Sequence, residues 1–400
     1  MADDHKRPHP RTGNRPETKI ITAGRRHEWL RGMVNVPVSR TSTVLFEDVA
    51  SLIDSYPPRD GHLSYGRNGT PTQWGLAQAL TELEPGAAGT VLFASGATAV
   101  AFALMSVLEP GDELLVADSV YEPTRTFCDK VLKRFGITTR YYDPLASAGE
   151  VEAMLSATTR AIFMESPGSL TFEVQDVPGI CAMARARGIA TLLDNTWATP
   201  LFFTALAHGV DLSILACTKY VSGHADVMLG SVTATEAYWD RLSKNALLFG
   251  QYVSPDDAYL AARGLRTMGV RLRRHEDSAI KIARWLQDQP QVANVIHPAF
   301  ADCPGHQYWK RDFTGSSGLF SIVLRQADDA AANRFVESLE LFGIGYSWGG
   351  FESLALPVHP DHGRTMRREK PSGAMVRLHI GLEDPDDLTA DLEQGLMLIS

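Results

Sequence analysis

From about residue 90 onward, short apolar runs alternate with stretches whose apolar residues recur at helical spacing. The runs predict strands over Val91–Ser95, Glu113–Asp118, Thr138–Asp143, Ala161–Glu165, Ala190–Asp194, Leu212–Cys217 and Met228–Thr233. Helices are predicted over Ala97–Leu108, Thr124–Arg134, Val151–Ser156 and Val177–Arg187. Strands separated by helices imply a largely parallel sheet covered on both faces. A helix over Thr72–Leu83 leads into this block, with Trp74, Leu76, Leu80 and Leu83 as its buried stripe.

After about residue 265 the texture changes. The basic amphipathic segment "RTMGVRLRRHEDSAIKIARWLQD" precedes short strands over Leu319–Leu324 and Val376–Ile380. A last helix, Pro385–Leu396, begins with acidic residues, which suit a helix N-terminus. The expected organisation is an N-terminal tail and arm (1–69), an α/β domain (70–264) and a smaller α+β domain (265–400).

Composition narrows the choice of function. The chain has 400 residues, 44% of them hydrophobic, enough for a large core. A net charge of −9 gives no basic face for nucleic acid. No apolar run approaches the roughly 20 residues that span a bilayer. The start, "MADDHKRPHPRTGNRPETK", lacks a secretory apolar segment, and Asp3, Asp4 and Glu17 argue against a transit peptide. It reads as a loose tail. The four cysteines, at 128, 181, 217 and 303, have no short metal-ligand or redox spacing. A cytoplasmic protein without disulfides or metal is expected.

In open parallel sheets, ligands sit beyond the carboxyl ends of the strands. Three predicted strand ends carry chemistry. In "VLFASGATAVAFAL" the break at Ser95-Gly96 opens a helix whose free N–H groups can face a phosphate. In "IATLLDNTWATP" Asp194 closes a strand, where it could pair with a protonated ring nitrogen or simply turn the chain. Lys219, in "ILACTKYVSGHADVMLG", is either a solvated charge or an amine suited to Schiff-base chemistry. Together they supply partners for the phosphate, ring nitrogen and aldehyde of pyridoxal 5'-phosphate. Tyr121 in "ADSVYEPT" could stack on a flat cofactor, and Arg377 in "GAMVRLHIGLED" could fork onto a carboxylate. His224 and Asp226 are too few for a metal site.

Read together, "TKYVSGHADVMLGS", "SYGRNGTPT", "SGATA", "ESPGS", "LLDNTWA" and "VRLHIGLED" resemble the Cys/Met-metabolism family of fold-type I pyridoxal-phosphate enzymes. The resemblance runs from about Lys19 to the end. It implies a mostly parallel seven-stranded sheet with helices on both faces. Lys219 would carry the cofactor and then move the Cα proton, while Asp194 keeps the ring nitrogen protonated. Tyr121 would stack on the ring, and Ser95, Gly96, Ala97 and Thr218 would hold the phosphate. Ala216 stands where many relatives have a serine. Tyr65 and Arg67 would reach the phosphate of a neighbouring subunit, implying a dimer at least and a homotetramer in full. Arg377 and Ser347 would clamp the substrate α-carboxylate, with Trp348 and Tyr346 at the entrance.

Within the family, Tyr346-Ser347-Trp348 in "GIGYSWGGFESL" resembles the cystathionine β-lyase branch. So do "YEPT", "ESPGSLTFEVQDVP" and "HQYWKRDFTGSSGLFS". That branch implies cleavage of L-cystathionine to homocysteine, pyruvate and ammonia in methionine synthesis. The competing expectations are γ-elimination from cystathionine or methionine, and a broader C–S lyase acting on cystine or S-alkylcysteines. A nicotinamide-dependent oxidoreductase is the reading from another class, and the missing glycine fingerprint weighs against it.

Overall fold

A computed structural model describes residues 13–56, 61–366 and 372–399. Residues 1–12 of the predicted tail, with Asp3 and Asp4, lie outside the described residues.

The large sheet is built from β1 (Ala87–Phe93), β2 (Glu113–Ala117), β3 (Thr138–Tyr142), β4 (Thr159–Glu165), β5 (Ala190–Asp194), β6 (Leu212–Leu215) and β7 (Gly230–Thr235). Their order is β1-β7-β6-β5-β4-β2-β3. β7 runs antiparallel to both neighbours, while the β2 to β6 pairings are parallel. The central strands are apolar without alternation because helices cover both faces. Leu114–Ala117, Ala161–Met164 and Leu192-Leu193 are fully buried.

A second sheet is wholly antiparallel, in the order β10-β11-β9-β8, from β8 (Val292–Ile296), β9 (Leu319–Leu324), β10 (Leu354–Val358) and β11 (Met375–His379). The helix Pro255–Gln287, about 50 Å long at 1.5 Å per residue, joins the two layers. Ala258 to Leu272 pack in the first core and Ala279 to Leu286 in the second. The expected division at residues 264 and 265 thus falls inside one continuous helix. No helix among the described residues is long and apolar enough to cross a membrane.

The structure alters several sequence expectations. The tail reading ends sooner, because Pro16–Thr22 is a helix with Pro16 and Glu17 in its first turn. It docks on the long helix: Arg266 donates to the Ile20 and Ala23 carbonyls at 2.5 and 2.9 Å, and Glu17 pairs with Arg273 at 3.1 Å. The helix expected over Thr124–Arg134 begins earlier as Glu122–Thr126 and widens into a π-turn over Phe127–Leu132. Leu76, Leu80 and Leu83 are buried as expected, but Trp74 is half-buried, its indole N–H donating to the Asn68 carbonyl. β6 also stops at Leu215, two residues before the predicted end. The Ala216 amide donates to Thr196 Oγ1 at 2.9 Å instead of continuing the ladder, and Lys219 lies in the turn that follows.

Candidate active site

The carboxyl ends of β4 and β5 place Glu165 directly opposite Asp194 in the strand register. Asp194 Oδ1 accepts from the Thr196 amide at 3.0 Å and from its hydroxyl at 2.5 Å. Oδ2 takes no hydrogen-bond partner among the described residues. Burial raises the Asp194 pKa, opposed by the Thr196 bonds and by the Lys219 charge. A carboxylate so held is stabilised by a cationic partner at its open oxygen.

Lys219 reaches toward this corner from the turn after β6. Its Nζ donates to Ser347 Oγ at 2.5 Å and lies 5.2 Å from the centre of the Trp348 ring. Burial, and then the Arg377 charge, push the Lys219 pKa down to about 8, with Asp194 acting in the opposite direction. The result is an amine that is readily uncharged near neutral pH.

Arg377 comes from β11 of the second sheet and donates from Nη2 to the Ser347 carbonyl at 3.0 Å. Tyr121 follows β2, is 50% exposed, and donates its amide to Glu165 Oε2 at 2.7 Å. Burial raises the Tyr121 phenol pKa, as do the neighbouring carboxylates, whereas Arg377 lowers it.

Against the end of β6, Ser95 caps the helix Gly96–Val107, its hydroxyl accepting from the Thr98 amide at 3.1 Å. The Gly96 and Ala97 amides take no protein acceptor among the described residues, and Ala97 is exposed. A Cβ on Gly96 would lie 2.6 Å from Ala216 Cβ, so glycine is what lets this helix start meet the end of β6. Thr218 sits beside them, with its hydroxyl donating to the Leu229 carbonyl at 3.2 Å and accepting from the Leu229 amide at 3.0 Å.

The fold therefore brings Lys219, Asp194, Tyr121, Arg377, Ser347 and Trp348 into one electrostatic neighbourhood, with Ser95, Gly96, Ala97 and Thr218 at its rim. Among the described residues no hydrogen bond joins Tyr65 or Arg67 to these groups. Tyr65 is 47% exposed, and Arg67 donates to the Leu247 carbonyl at 3.0 Å. Tyr346 is 90% exposed. Three neighbours of the site were not singled out from the sequence. Thr196 was legible as a hydroxyl two residues after Asp194, a spacing that favours local capping. Glu165 and His379, by contrast, owe their places to strand register and to the second sheet.

These groups fit pyridoxal 5'-phosphate. Unpartnered amides at a helix start suit its phosphate, the open Asp194 oxygen suits a protonated ring nitrogen, and the Lys219 amine suits its aldehyde. Comparison with known proteins agrees. The family described as Cys/Met metabolism PLP-dependent enzyme matches residues 17–397. The chain is 46% identical to the cystathionine beta-lyase MetC of Escherichia coli K12, covering 96% of this chain and 98% of that one. It is 44% identical to the cystathionine beta-lyase of Salmonella typhimurium, covering 97% and 100%. The crystal structure of metB from Corynebacterium glutamicum superposes with a TM-score of 0.87 at 30% identity, over 97% of this chain and 99% of that one. With a match over nearly its whole length, the chain belongs to the Cys/Met metabolism family of pyridoxal-phosphate-dependent enzymes.

Proposed function

We propose that this enzyme cleaves L-cystathionine by β-elimination, with water consumed and L-homocysteine, pyruvate and ammonia released. The observation that carries the reading is the strap Tyr346-Ser347-Trp348, which brings a hydroxyl and an indole ring against Lys219 Nζ. It is this strap that resembles the β-lyase branch, and the relatives from E. coli and Salmonella bear that name.

When bound, pyridoxal phosphate supplies an electron sink for negative charge at the substrate Cα. Lys219, Asp194 and Tyr121 would hold its reactive ring, and Ser95, Gly96, Ala97 and Thr218 its phosphate. Arg377 presents a guanidinium for the substrate α-carboxylate, and Ser347 lies between it and Lys219. The Lys219 amine, uncharged in a sizeable fraction near neutral pH, accepts the Cα proton and returns a proton to the departing sulfur. Burial raises the Asp194 pKa, and a protonated ring nitrogen at its open oxygen would favour the carboxylate form at the base of the site. Trp348 packs on Tyr220 at 5.5 Å between ring centres, with Lys219 Nζ 5.2 Å from its ring centre.

We further infer a homo-oligomer in which Tyr65 and Arg67 serve a neighbouring copy's phosphate site. The exposure of Tyr65 supports this, as does the exposed apolar arm bearing Leu45, Val49 and Ile53. The four buried free thiols support a reducing, cytoplasmic location.

The test is a product assay on the purified holoenzyme with L-cystathionine. Pyruvate and homocysteine in equal amounts are expected, and Lys219→Ala should release neither. Formation of 2-oxobutyrate as the main product would overturn the β-elimination reading in favour of γ-elimination.

A further inference from the structure

Two side chains on one face of β11, Arg377 and His379, grip alternate residues of the strap that covers Lys219. Arg377 Nη2 donates to the Ser347 carbonyl at 3.0 Å, and the Gly349 amide donates to His379 Nε2 at 3.0 Å. Between these two fixed points the Trp348 side chain projects onto Tyr220 and toward Lys219. The strap needs such holding. Ser347 and Gly349 both have left-handed backbone, with φ of +82° and +83°, and for serine that conformation is strained. Fit is also tight, since a Cβ on Gly349 would lie 3.1 Å from Lys219 Cα.

From this geometry we propose that His379 is a positioning residue of the active site. Its Nε2 anchors Gly349 and thereby sets Ser347 Oγ and the Trp348 ring against Lys219 Nζ. His379 touches neither the reacting amine nor the carboxylate clamp directly; it acts through the strap.

The chemistry of the ring fits the task. The Gly349 amide can only donate, so its bond uses the Nε2 lone pair. The same nitrogen also lies 3.2 Å from the Gly350 carbonyl, and Nδ1 has no hydrogen-bond partner among the described residues, so both contacts of the ring fall on the strap. His379 is fully buried, and that desolvation pushes its pKa well down, helped by the adjacent His275 ring at 5.3 Å and the Arg377 and Lys219 charges and opposed by the Gly350 carbonyl. An imidazolium could not accept this bond. A neutral acceptor that stays neutral through the working pH range keeps the strap in place. His275 is itself fixed by its bond to the Ile380 carbonyl at 2.7 Å, which backs the His379 ring with a second neutral imidazole.

This role concerns the same site as the proposed lyase reaction, but its readout does not depend on which thioether the enzyme cleaves. The experiment compares His379→Leu and His379→Gln holoenzymes with the unsubstituted protein by amide hydrogen exchange. Glutamine can place an acceptor close to the position of Nε2; leucine cannot. Exchange across residues 346–350 should quicken by about tenfold or more in His379→Leu, the scale of a lost buried hydrogen bond, while β9 and β10 stay unchanged. In His379→Gln the slow exchange should be recovered, and kcat/KM should return to within about threefold of the unsubstituted value from a loss of about tenfold or more. Equal exchange in His379→Leu and the unsubstituted enzyme, or failure of glutamine to restore it, would overturn the assignment. If the leucine variant does not fold, the unsubstituted enzyme still decides. Gly349 should exchange far more slowly than exposed Tyr346, and equal rates would refute the anchor.

Discussion

Neutralising Asp194 and Arg377 one at a time should move the proton affinity of Lys219 in opposite directions. In the chain without cofactor, the Lys219 pKa is pushed from 10.5 down to about 8, first by burial and then by the Arg377 charge. At pH 7 that leaves about a tenth of the Lys219 amines uncharged, against about three in ten thousand for an exposed lysine. The difference is roughly 300-fold in reactive amine. Arg377→Gln removes a repelling positive charge, so the pKa rises; Asp194→Asn removes an attracting negative charge, so it falls further. Burial, the larger cause, is unchanged in both, so neither variant should return to 10.5. The assay is a brief pulse of an amine-acylating reagent on cofactor-free protein between pH 6 and about 11, read at Lys219 by mass spectrometry. A labelling midpoint near 10.5 in the unsubstituted protein, or variants that shift the same way, would refute the reasoning.

Other consequences are open to direct measurement. Because the folded Lys219 pKa lies below its unfolded value, the unfolded chain binds more protons between about pH 8 and 10.5, and stability rises with pH across that window. Cofactor-free Lys219→Met should therefore be more stable than the unsubstituted protein below pH 8, by at most roughly 3 kcal/mol, with the gap closing by pH 10.5 in denaturant titrations. A gap that widens with pH would contradict the depressed pKa. Glu165, whose pKa is raised by burial and by Asp194, serves as acceptor for the Tyr121 amide. Glu165→Gln should keep kcat/KM within about threefold, whereas Glu165→Ala should lose about tenfold or more; equal values would remove Glu165 from the positioning of Tyr121. Gly96→Ala should lower stability by about 1–3 kcal/mol through overlap with Ala216, and an unchanged thermal midpoint would show that this contact can relax.

Elements with a dense local signal were legible without the fold. β5 and β9 coincide with their predicted ranges, and the helices Pro71–Leu83 and Val177–Ala186 lie within a residue of theirs, because cap and periodicity agree. The end of β6 was misread because Ala216 and Cys217 are apolar enough to continue a strand. It was the Thr196 hydroxyl, from a different strand end, that took the Ala216 amide. The Pro16–Thr22 helix was likewise hidden among polar residues, since what holds it is Arg266, some 250 positions later in the chain.

Residue type and local spacing were enough to nominate Lys219, Asp194, Gly96, Tyr121 and Arg377, since each lies where an apolar run breaks or alternates. What the sequence could not decide is how these groups act on one another. Glu165 meets Asp194 only through the parallel register of β4 and β5. Ser347 meets Lys219 Nζ only because β11, from the second sheet, carries Arg377 and His379 against the strap. A lysine becomes a reactive amine through burial and through charges placed in space, and neither is a property of neighbours along the chain.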